Sequence, residues 1–171
     1  MKNVVKYGII VCKKIMIGEP VMNIKLTDFD RNCIDEYVNL FISVFSKEPW
    51  NDEWKSTDHA KSYLMEIVKT PGFRGYVAEL DNKVVGVIIG HIVKWWQGDE
   101  YFIKEFFVET NLQGKRIGKR LDEFMKEKLV SEETETIVLL TERTIKAYEF
   151  YNKQRYKTSN DTVFMVHNLK K

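Results

Sequence analysis

Residues Phe102 to Lys128 read FIKEFFVETNLQGKRIGKRLDEFMKEK. An apolar run closes at Val108, a short polar turn carries Gln113 and Gly114, and Gly118 precedes a long amphipathic segment. The order is strand, glycine-bearing turn, helix. Such a turn can aim several backbone N–H groups at one oxyanion, and the helix start adds the positive end of its dipole. Lys115, Arg116, Lys119 and Arg120 add mobile positive charge. A phosphate-bearing ligand fits this segment better than a neutral one.

Working outward, residues 74–80, 83–94 and 99–109 read as three strands, with turns at Asp81-Asn82 and Gln97-Gly98-Asp99. Upstream, residues 21–26 alternate like an entering strand, and Asp28 or Asp30 can cap a helix carrying Ile34, Tyr37, Val38, Phe41 and Phe45. That helix is expected to end near Lys47-Glu48-Pro49, because the residue before a proline disfavours helix. A polar and aromatic loop, PWNDEW, leads to a second helix over Thr57 to Lys69, stopped by Pro71-Gly72. Downstream, a helix is expected over 116–129, a short strand over Thr136 to Leu140 and a helix over 144–153. Residues 156–158 and 162–168 are expected to supply final strands. The fold class is mixed α/β.

The chain has 171 residues, 44% hydrophobic and 30% charged, with a formal net charge of +2. This suits one domain with a sizeable core and gives no reason to invoke a nucleic-acid partner. Basic residues along 115–128 alternate with Asp122, Glu123 and Glu127, and no aromatic stacking pattern accompanies them. Cys12 and Cys33 form no metal or disulfide pattern, and His59, His91 and His167 lack metal-ligand spacing, so no metal is expected. No apolar run approaches the roughly 20 residues that span a bilayer. Cytoplasmic location without membrane contact is the expectation. Residues 1–17 are basic and apolar, and residues 1–21 are read as an N-terminal extension of uncertain status ahead of a single domain at 22–171.

Three segments together resemble the GNAT superfamily of acetyl-CoA-dependent N-acetyltransferases: Val108 to Gly118, the strand IVLLT at 137–141, and AYEFYNKQRY at 147–156. The family's pyrophosphate loop has the form (Gln or Arg)-x-x-Gly-x-(Gly or Ala), and here it reads Gln113-Gly114-Lys115-Arg116-Ile117-Gly118. Arg116 replaces the inner glycine. The resemblance covers roughly residues 22–168 and implies a mostly antiparallel central sheet flanked by helices. It implies acetyl-CoA as cosubstrate, entering a gap where the strand before the loop splays from the next one. Phe106, Phe107 and Val108 would line the pantetheine arm through their backbone. Gln113 to Lys119 would hold the pyrophosphate, and Thr141 would border the cofactor from the neighbouring strand.

The family often ends in a pattern like Phe-Tyr-Glu-Lys-x-Gly-Phe, filled here by Phe150-Tyr151-Asn152-Lys153-Gln154-Arg155-Tyr156. Arg155 and Tyr156 stand where the family has glycine and phenylalanine. The resemblance places Tyr151 near the cofactor sulfur. A tyrosine stays protonated at neutral pH and can donate to a leaving thiolate, with Tyr148 as the competitor. Glu105, a charge in an otherwise apolar run, is the candidate base for the acceptor amine; Glu79, Asp99 and Glu100 are weaker ones. Trp50 and Trp54 flank Asn51, Asp52 and Glu53, a loop suited to holding a cationic amine through ring and charge contacts. Trp95, Trp96, Asp99 and Tyr101 form a similar cluster at the other hairpin.

The expected reaction is direct acetyl transfer to a primary amine, a small cationic or aminoglycoside-like molecule, with peptide or protein N-acetylation open. A non-catalytic CoA-sensing or interaction domain is the rival, because fold alone does not settle function. Nothing resembles a nucleotide-dependent kinase. Pairing of two copies is a further expectation of the resemblance.

Overall fold

The computed structural model describes residues 22–169; the N-terminal extension lies outside them. Five strands form one sheet in sequence order: β1 (Ile24–Asp28), β2 (Phe73–Leu80), β3 (Lys83–Trp95), β4 (Gly98–Val108) and β5 (Thr136–Val138). The first three pairings are antiparallel and the β4–β5 pairing is parallel. Four helices flank the sheet: α1 (Ile34–Phe45), α2 (Thr57–Lys69), α3 (Ile117–Ser131) and α4 (Lys146–Lys153). This is the mixed, mostly antiparallel α/β architecture expected from the sequence. No described helix is long and apolar enough to cross a membrane.

Local chemistry accounts for the element ends. Asp30 accepts from the Asn32 N–H at 2.9 Å and caps a 3-10 turn, Arg31–Cys33, that feeds α1. Ser56 caps α2 through the His59 N–H at 3.1 Å. Asp81 and Asn82 both take positive φ, 51° and 60°, the geometry that matches a tight hairpin to the twist of its strands.

The sheet has a core on each face. Tyr37, Val38, Phe41 and Val44 of α1 and Ala60, Leu64 and Ile67 of α2 pack on Val77, Val87, Ile89 and Phe107. Ile117, Leu121, Met125 and Leu129 of α3 pack on Ile24, Tyr76, Ile88, Tyr101 and Ile103.

β4 changes face part-way along. Ile89 pairs with Glu105 but Gly90 pairs with Ile103, which leaves Lys104 as an extra, bulged residue. Under strict alternation Ile103 and Phe107 would share a face. Instead Ile103 lies in the α3 core and Phe107 in the α1–α2 core. The bulge therefore turns Glu105 toward the helices α1 and α2. Gly90 lies opposite it, where an added Cβ would sit 2.2 Å from the Phe102 carbonyl oxygen, so only glycine permits this approach.

One expectation fails. Residues 156–158 and 162–168 form no strand, and Val163 to Val166 are 69–84% exposed. An apolar run becomes a strand only against a partner edge, and β5 offers just three residues. The expected strand at Thr136 to Leu140 likewise stops at Val138.

Candidate active site

The β4–β5 ladder ends at Phe102 and Val138. Beyond it the two segments part, and a cavity of about 230 Å³ opens between Ile103–Phe106 and Leu139–Glu142. Tyr151 and Ala147 of α4 close one side, and Phe45 and Trp50 the other. Glu105, Phe106, Thr141, Tyr151 and Trp50 line this one cavity, while Trp54, Asp52 and Glu53 do not. The side chain of Phe107 is buried in the α1–α2 core, and Val108 packs toward α3. Ile103 and Lys104 also line the cavity, and the bulge that brings them there leaves no pattern in the sequence.

Glu105 is half-buried and accepts a hydrogen bond from the Tyr63 hydroxyl of α2. Burial pushes its carboxyl up to about 7, opposed by the Tyr63 hydrogen bond and by Lys104, and assisted by Asp52. Burial is also the main reason that Tyr63 and Tyr151 hold their protons well above the ordinary tyrosine range. The site therefore holds a carboxylate poised near neutrality and a hydroxyl that stays protonated. Tyr151 packs edge-on against Phe150 at 5.4 Å, Tyr156 at 5.3 Å and Phe106 at 6.3 Å. Its hydroxyl makes no hydrogen bond among the described residues.

Tyr148, the competitor, hydrogen-bonds Thr158 at 2.9 Å and does not line the cavity. Glu79 is paired with Lys25 at 2.9 Å on the β1–β2 side. Asp99 and Glu100 lie at the far end of β4, where Asp99 pairs with Lys94. The second aromatic cluster is split: Tyr101 is fully buried and donates to the Arg74 carbonyl at 3.0 Å, while Trp96 is 80% exposed. In the PWNDEW loop, Trp50 packs on Phe45 at 5.0 Å and Trp54 on Phe41 and Tyr63, both at 5.3 Å. Asp52 and Glu53 are exposed beside them. Among the described residues no group of three or more His, Cys, Asp or Glu could hold a metal ion.

The loop Gln113–Gly118 runs from the end of β4 into α3. Gln113 Nε2 donates to the Val108 carbonyl at 3.2 Å and ties the loop to the strand. Arg120 N–H reaches the Arg116 carbonyl at 3.0 Å, while the amides of Ile117, Gly118 and Lys119 come before any i−4 carbonyl inside the helix. These amides, with exposed Lys115 and Arg116, suit a diphosphate. Gly118 is small enough for Phe150 and Phe106 to pack over it, with an added Cβ at 3.4 and 3.6 Å. The charge of Arg120 is not mobile, because its guanidinium donates to the Met22 and Ile24 carbonyls, both at 3.1 Å.

Both arginines that depart from the resembling pattern stand at positive φ, Arg116 at 64° and Arg155 at 67°. The backbone keeps the conformation that glycine adopts freely, and the side chain bears its cost. Arg116→Gly is expected to stabilise the protein by about 0.5–1 kcal/mol, the left-handed penalty less the extra chain entropy of glycine. Urea midpoints of the two proteins check this; an unchanged or lower midpoint would contradict it.

Solved structures share this architecture. An aminoglycoside acetyltransferase, meta-AAC0020, from an uncultured soil metagenomic sample and in complex with sisomicin, superposes with a TM-score of 0.68 at 21% identity, over 86% of this chain and 97% of that one. A possible acetyltransferase from Clostridium difficile 630 gives 0.72 at 16% identity, over 86% and 99%. AAC(6')-Iy, in complex with the bisubstrate analog CoA-S-monomethyl-acetylneamine, gives 0.65 at 11% identity, over 85% and 97%. At such identities the likeness is one of fold. No protein of curated function matches by sequence. The sequence model of the acetyltransferase (GNAT) family matches residues 34–155, which run from the start of α1 through the loop and α4. By that match, over more than half of its length, the chain belongs to the GNAT family of acetyltransferases.

Proposed function

We propose that the protein transfers an acetyl group directly from acetyl-CoA to the primary amine of a small cationic molecule. The observation that carries this reading is the meeting of Glu105 and Tyr151 on one cavity, in the gap where β4 and β5 part. Family membership supports acetyl-CoA as the donor. The residues present fit it: the Gln113–Lys119 loop for its diphosphate, the unpaired edge of β4 at Ile103–Val108 for its amide-bearing arm, and Thr141 at the border of the gap.

Acetyl-CoA supplies a thioester carbonyl. Glu105, directly or through one water, takes the proton of the ammonium so that a free amine can attack. A carboxylate near 7 suits this task, because a substantial fraction is ionised at neutral pH while its proton affinity stays higher than that of an ordinary glutamate. The backbone N–H at Val108 is the candidate donor to the developing oxyanion. Tyr151 holds its proton firmly, so it serves the departing sulfur first as a hydrogen-bond donor, and the proton follows as the thiolate leaves. No covalent enzyme intermediate is needed.

The acceptor side is bordered by Trp50 and the carboxylate of Glu105, with Asp52 of the same aromatic loop close enough to act on Glu105. Rings beside carboxylates favour a cation. Aminoglycoside acetyltransferases among the similar folds agree with this class. The test is amine-dependent release of CoA thiol across aminoglycosides, polyamines, simple alkyl and aryl amines, and peptides. Saturable turnover with a small cationic amine is expected. Turnover confined to peptides, or no amine-dependent release, would overturn the proposal.

A further inference from the structure

We infer that Tyr63 is a positioning residue for Glu105, fixing the carboxylate through its hydroxyl in the geometry a base needs. This rests on the proposed role of Glu105. Three observations from different parts of the chain converge on the contact. The bulge at Lys104 turns Glu105 away from the face occupied by Ile103 and toward α2. The Tyr63 hydroxyl meets it there, 42 residues away in sequence. The Tyr63 ring is itself held between Trp54, at 5.3 Å, and Phe41, at 5.9 Å, so its hydroxyl is delivered from a packed platform rather than from a free side chain.

A half-buried glutamate without a partner would lie in several rotamers and resist ionisation. A donor that cannot itself ionise near neutrality holds one rotamer and eases ionisation. Tyr63 meets that condition, since burial and the adjacent Glu105 carboxylate hold its proton on. The other groups acting on Glu105 come from each surrounding element: Lys104 on its own strand lowers its proton affinity, and Asp52 of the aromatic loop raises it. Tyr151 of α4 and Glu142 after β5 share the same cavity. Of these, Tyr63 makes the hydrogen bond.

The test compares the wild type with Tyr63→Phe, which keeps the ring and its packing. Two readouts are used: carbon-13 NMR titration of the Glu105 carboxyl, assigned with Glu105→Gln, and the pH profile of kcat/KM. Removing a donor to the ionised form should raise the Glu105 midpoint by about one pH unit. The acidic limb of kcat/KM should move with it. Activity then falls about tenfold on that limb and recovers on the alkaline plateau, whereas a merely structural loss would lower activity equally at every pH. An unmoved carboxyl midpoint in a folded Tyr63→Phe protein would overturn the inference. A moved midpoint with an unmoved rate limb would uphold the Tyr63 contact and overturn Glu105 as the base. The wild type alone gives an independent readout: a Tyr63 hydroxyl proton slow enough in exchange to be observed once Glu105 is ionised supports the contact, and rapid exchange at every pH counts against it.

Discussion

Glu105→Gln lowers kcat/KM by about 10²–10³-fold at neutral pH, the range expected when a positioned base is removed. Glutamine keeps the volume and can still accept from the Tyr63 hydroxyl, so the wall of the cavity survives while the proton acceptor is lost. The same change should make the protein more stable. The folded-state proton affinity of Glu105 is raised, so ionisation opposes folding: its contribution is most favourable below the ordinary glutamate range and is lost as pH rises through about 7. Above that pH the wild type carries a half-buried charge that the variant does not. A gain of about 1 kcal/mol at pH 8, shrinking toward pH 4, is expected after allowing for solvent screening of this partly open site. Activity assays and urea unfolding at the two pH values check both halves. A variant that retains activity would remove Glu105 from the mechanism. A variant that loses activity and also stability would point to a structural carboxylate.

The second large effect lies away from the cavity. Asp122 of α3 is fully buried, with 0% exposure. One of its oxygens accepts from the Tyr156 hydroxyl at 2.8 Å and the other from Lys126 at 2.7 Å. Lys126 also reaches the Gln154 carbonyl at 3.2 Å and lies over the Tyr156 ring at 4.4 Å. These contacts fasten the end of α4 to α3. They matter because α4 has no fully buried side chain of its own. Asp122→Ala would leave the Tyr156 hydroxyl and a partly buried ammonium without their shared acceptor. A loss of about 3 kcal/mol is expected, as for other broken buried pairs. Since Tyr156 packs on Tyr151 at 5.3 Å, turnover should fall as well. Urea unfolding gives the stability change directly, and a loss below about 1 kcal/mol would mean that apolar packing alone holds α4.

The strand, turn and helix around residues 102–128 were legible in the sequence: the apolar run ending at Val108, the glycines of the turn and the helical spacing of residues 116–129 gave their order. The Asp81-Asn82 turn named a hairpin because those residues tolerate positive φ. Glu105 stood out as a charge in an apolar run, and Tyr151 was singled out by the resemblance of residues 150–156 to the family's closing pattern.

Other parts depended on contacts far apart in sequence. The bulge at Lys104 adds one residue to a strand and alters no composition, so the apolar run looked continuous. Tyr63 reads as one more aromatic on an amphipathic helix, and only the bulge brings Glu105 to it. Asp122 lies in a segment where acids and bases alternate, and nothing there marks it from its neighbours; its burial follows from how α4 packs back on α3. Arg116 and Arg155 looked like departures in chemistry, yet their backbone angles preserve the conformation of the glycines they replace. The apolar run at 163–166 was read as strand from residue type alone, without a partner edge to receive it.

The central claim is that the gap between β4 and β5, with the Gln113–Lys119 loop beside it, is an acetyl-CoA site. Calorimetric titration of the protein with acetyl-CoA, with desulfo-CoA and ATP as comparisons, tests it most directly. Saturable binding of acetyl-CoA and desulfo-CoA, with no comparable response to ATP, is the predicted result. A folded protein that binds neither CoA compound would contradict the account.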